Sequence, residues 1–207
     1  MIAIIDYDMG NLRSVQKAFA KVGYPAVVTR DPKIIRDASH IVLPGVGAFP
    51  DAMRNLEQFS LIGPIKKGIE QGKPFLGLCL GLQLLFAESE EFGVHRGLNV
   101  IKGRTVRFQI SGNAAETKLS IPHMGWNTIE IKTPSPIFKD VPNGSYFYFV
   151  HSYYVLPEDR YWISTTTEYG VEFASSIWKD NIFACQFHPE KSQEQGLKLL
   201  ARFAETG

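Results

Sequence analysis

The sequence predicts an α/β fold: a central, mostly parallel sheet with flanking helices, extended by a β-rich C-terminal half. Three observations predict it. Over the first hundred residues short apolar runs alternate with amphipathic stretches, the pattern of repeated βα units whose strands are covered on both faces. From about Val100 the pattern changes to closely spaced β-type segments separated by turn residues. The 207 residues are 44% hydrophobic, enough for a sizeable core, so residues 1–207 are expected to form one domain.

Taken in order, Ile2 to Ile5 is a wholly apolar run and reads as a buried strand. Leu12 to Val22 has helical spacing, and Ala26 to Val28 and Ile41 to Leu43 are the next strands. Phe49 to Glu70 is helical and is expected to break at Gly63-Pro64, since proline removes a backbone donor and collides with the preceding turn. Phe75 to Leu78 is a short buried strand leading into a helix from Gly81 to Phe86. Strands are then expected at Thr105 to Ile110, Trp126 to Ile131, Ser145 to Val150, Tyr161 to Thr166, Phe173 to Trp178 and Ile182 to Phe187. A helix from Ser192 to Phe203 closes the chain. Gly112 to Thr117 is the segment expected to be most mobile, and Glu116 to Ser120 matches no motif.

Lys and Arg number 22 against 21 acidic residues, so no global field draws the chain to nucleic acid or anionic lipid. No segment reaches the roughly 18 apolar residues of a membrane span, and the apolar run at the N-terminus is short with no basic stretch before it. A soluble cytoplasmic protein with small-molecule or protein partners is expected. Two cysteines, Cys79 and Cys185, are too few for a disulfide scaffold, which leaves room for a reactive thiol.

The most informative segment is Pro74 to Gln83, a buried strand running through Gly77-Leu78-Cys79-Leu80-Gly81 into a helix. It has the form of a nucleophile elbow with cysteine in place of serine. The turn holds its central residue in a strained conformation, and glycines two positions to either side remove colliding side chains. At a helix start, free N–H groups favour the thiolate. Alone, the segment also fits a cysteine packed as a small hydrophobe. In Phe183 to Glu190, His188 and Glu190 alternate at a strand end and project to one side, with Pro189 holding the backbone extended between them. This is the base-and-orienter half of a triad, although a lone His-Pro-Glu more often holds a structural histidine. Cys185 points away from His188 by alternation and has no catalytic role. Ile41 to Gly47 is a strand ending in a glycine-rich turn, where backbone N–H groups can approach a ligand as an oxyanion hole requires; it also fits an ordinary strand exit.

Together, in this order, the three segments resemble the class I glutamine amidotransferases, which carry an oxyanion turn, a G-x-C-x-G elbow and a His-x-Glu pair. The resemblance implies a flavodoxin-like glutaminase fold acting on L-glutamine without metal or cofactor. It assigns Cys79 as nucleophile, His188 as general acid and base, and Glu190 as its orienter. It further implies an oxyanion hole from the backbone N–H groups of Val46 and Leu80, with Gly47, Gln83, Ser152 and Tyr153 against the substrate. Read without it, Gln83 is an exposed helix glutamine.

Ile5 to Val15, Pro44 to Phe49, Pro122 to Asn127 and Tyr148 to Tyr153 narrow the resemblance, over nearly the whole chain, to the glutaminase subunits of imidazole glycerol phosphate synthases. That implies a heterodimer with a (β/α)8-barrel cyclase subunit that receives the ammonia, with Asn11, Met124, Trp126, Tyr148 and Lys191 near the contact. By residue type alone, Met124 and Trp126 fit a core turn as well. The rival readings are a glutaminase serving another synthase, a catalytically silent glutamine-binding scaffold, and a free-standing hydrolase or cysteine peptidase on the same fold.

Overall fold

The structure, a computed structural model, describes residues 1–109 and 119–207. The loop expected at 112–117, the segment 116–118 and the end of the strand expected at 105–110 lie outside the described residues. The first half builds β1 (Ile2–Ile5), α1 (Leu12–Lys21), β2 (Ala26–Thr29), α2 (Pro32–Asp37), β3 (His40–Gly45), α3 (Phe49–Gln58), α4 (Ile62–Glu70), β4 (Phe75–Cys79) and α5 (Leu80–Leu84). Then follow β5 (Phe86–Ser89), β6 (His95–Arg96), β7 (Ile101–Arg107), β8 (His123–Thr128), β9 (Glu130–Ile131), β10 (Tyr146–His151) and β11 (Tyr153–Pro157). The chain ends with β12 (Ile163–Glu168), β13 (Glu172–Lys179), β14 (Ile182–Cys185) and α6 (Gln193–Ala204).

One mixed sheet runs β2-β1-β3-β4-β14-β13-β11-β7-β5-β6, with β12 branching from β13 and β9 pairing with β12. Its first five strands are parallel, as the βα alternation predicts. The β-rich half joins through the parallel strand β14 and continues from it through antiparallel pairs, with β5 parallel to β7. One apolar layer packs Ile5 and Leu43 of the sheet against Phe49, Leu56 and Ile65 of α3 and α4; the other packs Ile4 and Val42 against Phe19 of α1 and Phe203 of α6. Because β14 comes late in sequence yet lies parallel beside β4, the ends of β3, β4 and β14 emerge side by side, with Gly45 opposite Cys79 and Cys185 opposite Leu78. Strand carboxyl ends of an open α/β sheet are where ligands bind.

The break within 49–70 falls at Phe59 to Leu61, not at Gly63-Pro64. Ser60 takes φ +56°, while Pro64 sits in the first turn of α4, where no intrahelical donor is required of it. The helix expected at 81–86 stops at Leu84, because Phe86 enters β5 and pairs with Ile101. Trp126 to Ile131 divides into β8 and β9, and Arg160–Trp162 is a 3₁₀ turn ahead of β12. A short separate ribbon, β8 against β10, sets His123 opposite His151 and Trp126 opposite Tyr148.

Candidate active site

The β4-to-α5 turn places Cys79 at φ +53° and ψ −105°, in a region non-glycine residues rarely occupy. Both flanking glycines are sterically required. A Cβ on Gly81 would run into the carbonyl oxygen of Leu43, and one on Gly77 would meet the Gly81 oxygen at 2.8 Å and the Ala184 Cβ at 3.0 Å. The elbow therefore packs against the backbone of β3 and against Ala184 of β14. It opens into a cavity of about 300 Å³ whose walls include Val46, Gly47, Leu80, Gln83, Ser152 and Tyr153. All six are residues that the sequence singled out. Gln83 is buried rather than an exposed helix residue, and its Nε2 donates to the Tyr153 carbonyl at 3.2 Å.

His188 and Glu190 meet as expected, by a different local route. β14 ends at Cys185, and the pair is formed across a 3₁₀ turn at Pro189–Lys191, with His188 extended just before it. The His188 N–H donates to the Tyr148 carbonyl instead of continuing a ladder. His188 Nδ1 and Glu190 Oε1 are 2.8 Å apart, with side chains only 3% and 2% exposed. Nε2 of His188 is buried without a hydrogen-bond partner among the described residues. Burial alone would push the imidazole down; its interactions with Cys79 and Glu190 outweigh burial and raise it. The arrangement can hold a thiolate and an imidazolium side by side, with a carboxylate fixing the ring tautomer. Cys185 is wholly buried; its Sγ lies 3.5 Å from the Phe187 carbonyl, and burial holds the thiol up.

The sequence reading missed Glu91, Val150, His151 and Gln186. Glu91 also lines the cavity; its Oε2 accepts from the Phe49 N–H at 2.7 Å, and burial raises it. Nothing distinguishes it within Glu88 to Glu91, where three of four residues are acidic. His151 lines the cavity as well and begins a chain: its Nδ1 meets the Tyr153 carbonyl at 2.8 Å, its Nε2 meets Nδ1 of His123 at 3.0 Å, and Nε2 of His123 meets Asn127 Nδ2 at 3.2 Å. A carbonyl only accepts and an amide nitrogen only donates, so both rings are neutral with Nδ1 protonated. Gln186 follows β14, where its place two residues before His188 was the available signal.

Four of the five partner-contact residues expected from the resemblance are close together on the surface. Met124 is 65% and Trp126 46% exposed. Trp126 stands edge-on to Tyr148 with ring centres 6.0 Å apart, and Nζ of Lys191 lies 5.7 Å from the Tyr148 ring centre. Asn11, exposed, opens α1.

A cysteine elbow, a buried His-Glu pair and a glycine turn at neighbouring strand ends are the parts of an amide-hydrolysing site. The family described as Glutamine amidotransferase class-I matches residues 3–206, and the chain belongs to it. Over 204 residues it is 57% identical to imidazole glycerol phosphate synthase subunit HisH of Geobacter sulfurreducens, covering 99% of this chain and 98% of that protein. The subunit of the same name from Aquifex aeolicus is 52% identical over 201 residues, covering 97% and 94%. A solved glutamine amidotransferase superposes with a TM-score of 0.75 at 14% identity, covering 100% of both chains. PurLQS of Thermotoga maritima does so with 0.74 at 17% identity, covering 99% of this chain and 97% of that one. At such identities these two likenesses concern the fold alone.

Proposed function

We propose that the chain is the glutaminase subunit of an imidazole glycerol phosphate synthase, hydrolysing L-glutamine to glutamate and ammonia for a cyclase subunit of (β/α)8-barrel type in a heterodimer. The near full-length identity of 57% to a subunit of that name carries the assignment. The buried His188–Glu190 contact of 2.8 Å beside Cys79 supports the chemistry. The Cys79 thiolate attacks the side-chain amide carbon of glutamine, and the oxyanion is met by the backbone N–H groups of Val46 and Leu80. Amide nitrogen leaves only when protonated, so the His188 imidazolium gives it the proton. The neutral ring then takes a proton from water, which opens the thioester. Glu190 keeps Nδ1 occupied and stabilises the imidazolium throughout. Glu91 is an acceptor suited to the ammonium group of the substrate, on the wall that Gln83, Ser152 and Tyr153 share with it.

The test separates ammonia release from acceptor chemistry. A complex of the Cys79→Ala chain with a barrel cyclase should turn over with ammonium salts at alkaline pH and not with glutamine. A folded complex inactive with both nitrogen sources would overturn the reading of Cys79 as the ammonia-releasing residue. A cyclase that neither binds the chain nor accepts its ammonia would overturn the partner assignment and favour another synthase.

A further inference from the structure

Every step proposed above passes through the Cys79 sulfur, and a buried side chain outside that scheme touches it. Gln186 is wholly buried at the end of β14, brought beside Cys79 because Cys185 pairs with Leu78. Its Nε2 lies 3.7 Å from Cys79 Sγ, and its Oε1 lies 3.2 Å from Nε2 of Gln83. The amide orientation follows from the neighbours. Gln83 Nε2 also contacts the Tyr153 carbonyl, which only accepts, so Gln83 presents its nitrogen there. Gln186 must therefore turn its oxygen toward Gln83 and its N–H toward sulfur. Neutral thiol sulfur is a poor acceptor and a thiolate a good one, so a buried donor aimed at Sγ favours the ionised form.

We propose that Gln186 is a further catalytic residue, whose Nε2–H stabilises the Cys79 thiolate both as the waiting nucleophile and as the leaving group. The proposal rests on the reading of Cys79 as nucleophile. In the first half-reaction sulfur gives its electron pair to the amide carbon, and the C–N bond breaks as nitrogen takes a proton from His188. In the second, water bonds to the acyl carbon and passes a proton to His188, and the C–S bond breaks with its pair returning to sulfur. Charge thus reappears on Sγ, where the Gln186 amide and the His188 imidazolium meet it, while the oxyanion turn serves the carbonyl oxygen. Through Oε1 the same amide connects the sulfur to Gln83, on the substrate wall.

The full chain without partner suffices for the test. The rate of Cys79 alkylation by iodoacetamide is followed from pH 5 to 9 in the unaltered chain, Gln186→Met and Gln186→Glu. Met keeps the volume without an N–H; Glu keeps an acceptor for Gln83 and sets a carboxylate oxygen on the sulfur. In Gln186→Met the pH midpoint of alkylation should rise by about one unit, with about tenfold slower alkylation on the acid side, and further in Gln186→Glu. A side chain that only packed would change the rate equally at every pH. Unmoved midpoints in the folded variants would overturn the proposal. In the unaltered chain, the side-chain amide signal of Gln186 should shift with the alkylation midpoint; an amide indifferent to pH there would overturn it without any substitution. If Cys79 of the unaltered chain resists alkylation at every pH, the nucleophile reading falls and this proposal with it, an outcome distinct from unmoved midpoints.

Discussion

At Cys79 the chain accepts a φ of +53°, a conformation that costs about 1–3 kcal/mol and persists only where its surroundings impose it. The imposing contacts are the packed glycines 77 and 81, and the result is a buried thiol on the cavity wall. Cys185 has neither feature. A glutamine-analogue electrophile should therefore label Cys79 alone, and Cys79→Ala should abolish glutaminase activity; peptide mapping that found the label on Cys185 would reverse the assignment. The His188 and Glu190 side chains are equally buried, but their proposed roles are unequal: the imidazole would carry the proton and the carboxylate would orient it. His188→Ala should lower kcat by about a hundred- to ten-thousandfold. Glu190→Gln should cost less, since an amide can still hold the ring in place. Equal losses in steady-state assays, or a harmless Glu190→Gln, would remove the orienting role. The pairing was legible from the His-x-Glu spacing, whereas the contact of Gln186 with Cys79 was not, because a place two residues before His188 does not say which strand lies alongside.

Among the elements, the glycine turn after β3 is built for close packing on one side and freedom on the other. A Cβ on Gly45 would collide with the Tyr7 hydroxyl and meet Leu80 Cβ at 2.9 Å, yet Val46 remains 40% exposed. Gly47, at φ +101°, continues the turn in a conformation that suits glycine. If Val46 supplies an oxyanion donor as proposed, rotation of the Gly45–Val46 peptide would turn its N–H toward or away from the oxyanion, with glycine on the N-terminal side keeping the steric cost low. Loss of one such donor slows acyl transfer by about a hundred- to a thousandfold, enough for a control that spares ammonia when no acceptor is present. Glutaminase kcat should be low for the chain alone, higher with cyclase and highest with cyclase and nucleotide ligand. Equal rates in all three would eliminate the switch and leave the triad untouched. Gly45→Ala should lower the melting temperature as well, by strain worth about 1–3 kcal/mol. The turn could be read from Gly45 and Gly47, but the Tyr7 hydroxyl beneath it could not, being 38 positions earlier on another strand end.

Over the whole molecule, the buried histidines bias stability toward neutral pH. Burial lowers His123 to about 4 and His151 to about 3, and lowers His40, which meets the Thr206 carbonyl at 2.8 Å near the chain's end. The unfolded chain protonates these rings near pH 6.5 while the folded chain does not, so protons favour unfolding between those values. Stability from these rings is complete above about pH 6.5 and is lost as pH falls toward 4, at about 1.4 kcal/mol for each unit by which a ring is lowered. The raised His188 acts in a different window: its contribution is complete below its unfolded value and fades as pH climbs toward its folded one. Glu91, raised by burial, opposes the acid loss in part. Thermal melts should show the midpoint falling steadily from pH 6.5 to 4.5, and His123→Gln should flatten that slope; a slope unchanged by the substitution would remove His123 from the account.

Apolar periodicity determined the parallel βα half, because a strand covered on both faces and a helix covered on one leave different spacings of hydrophobic residues in the chain. The G-x-C-x-G spacing likewise marked the cysteine elbow, although the contacts that require those glycines, Leu43 for Gly81 and Ala184 for Gly77, come from neighbouring strands. What the spacing did not contain was adjacency. That β14 pairs with β4, so that His188, Glu190 and Gln186 reach Cys79 across more than a hundred residues, follows from which strands share hydrogen bonds. The break at Ser60, the 3₁₀ turn that joins His188 to Glu190 and the burial of Gln83 were decided in the same way. Each depends on which groups from distant segments compete for the same backbone donors and the same space, and that competition exists only once the sheet has closed around them.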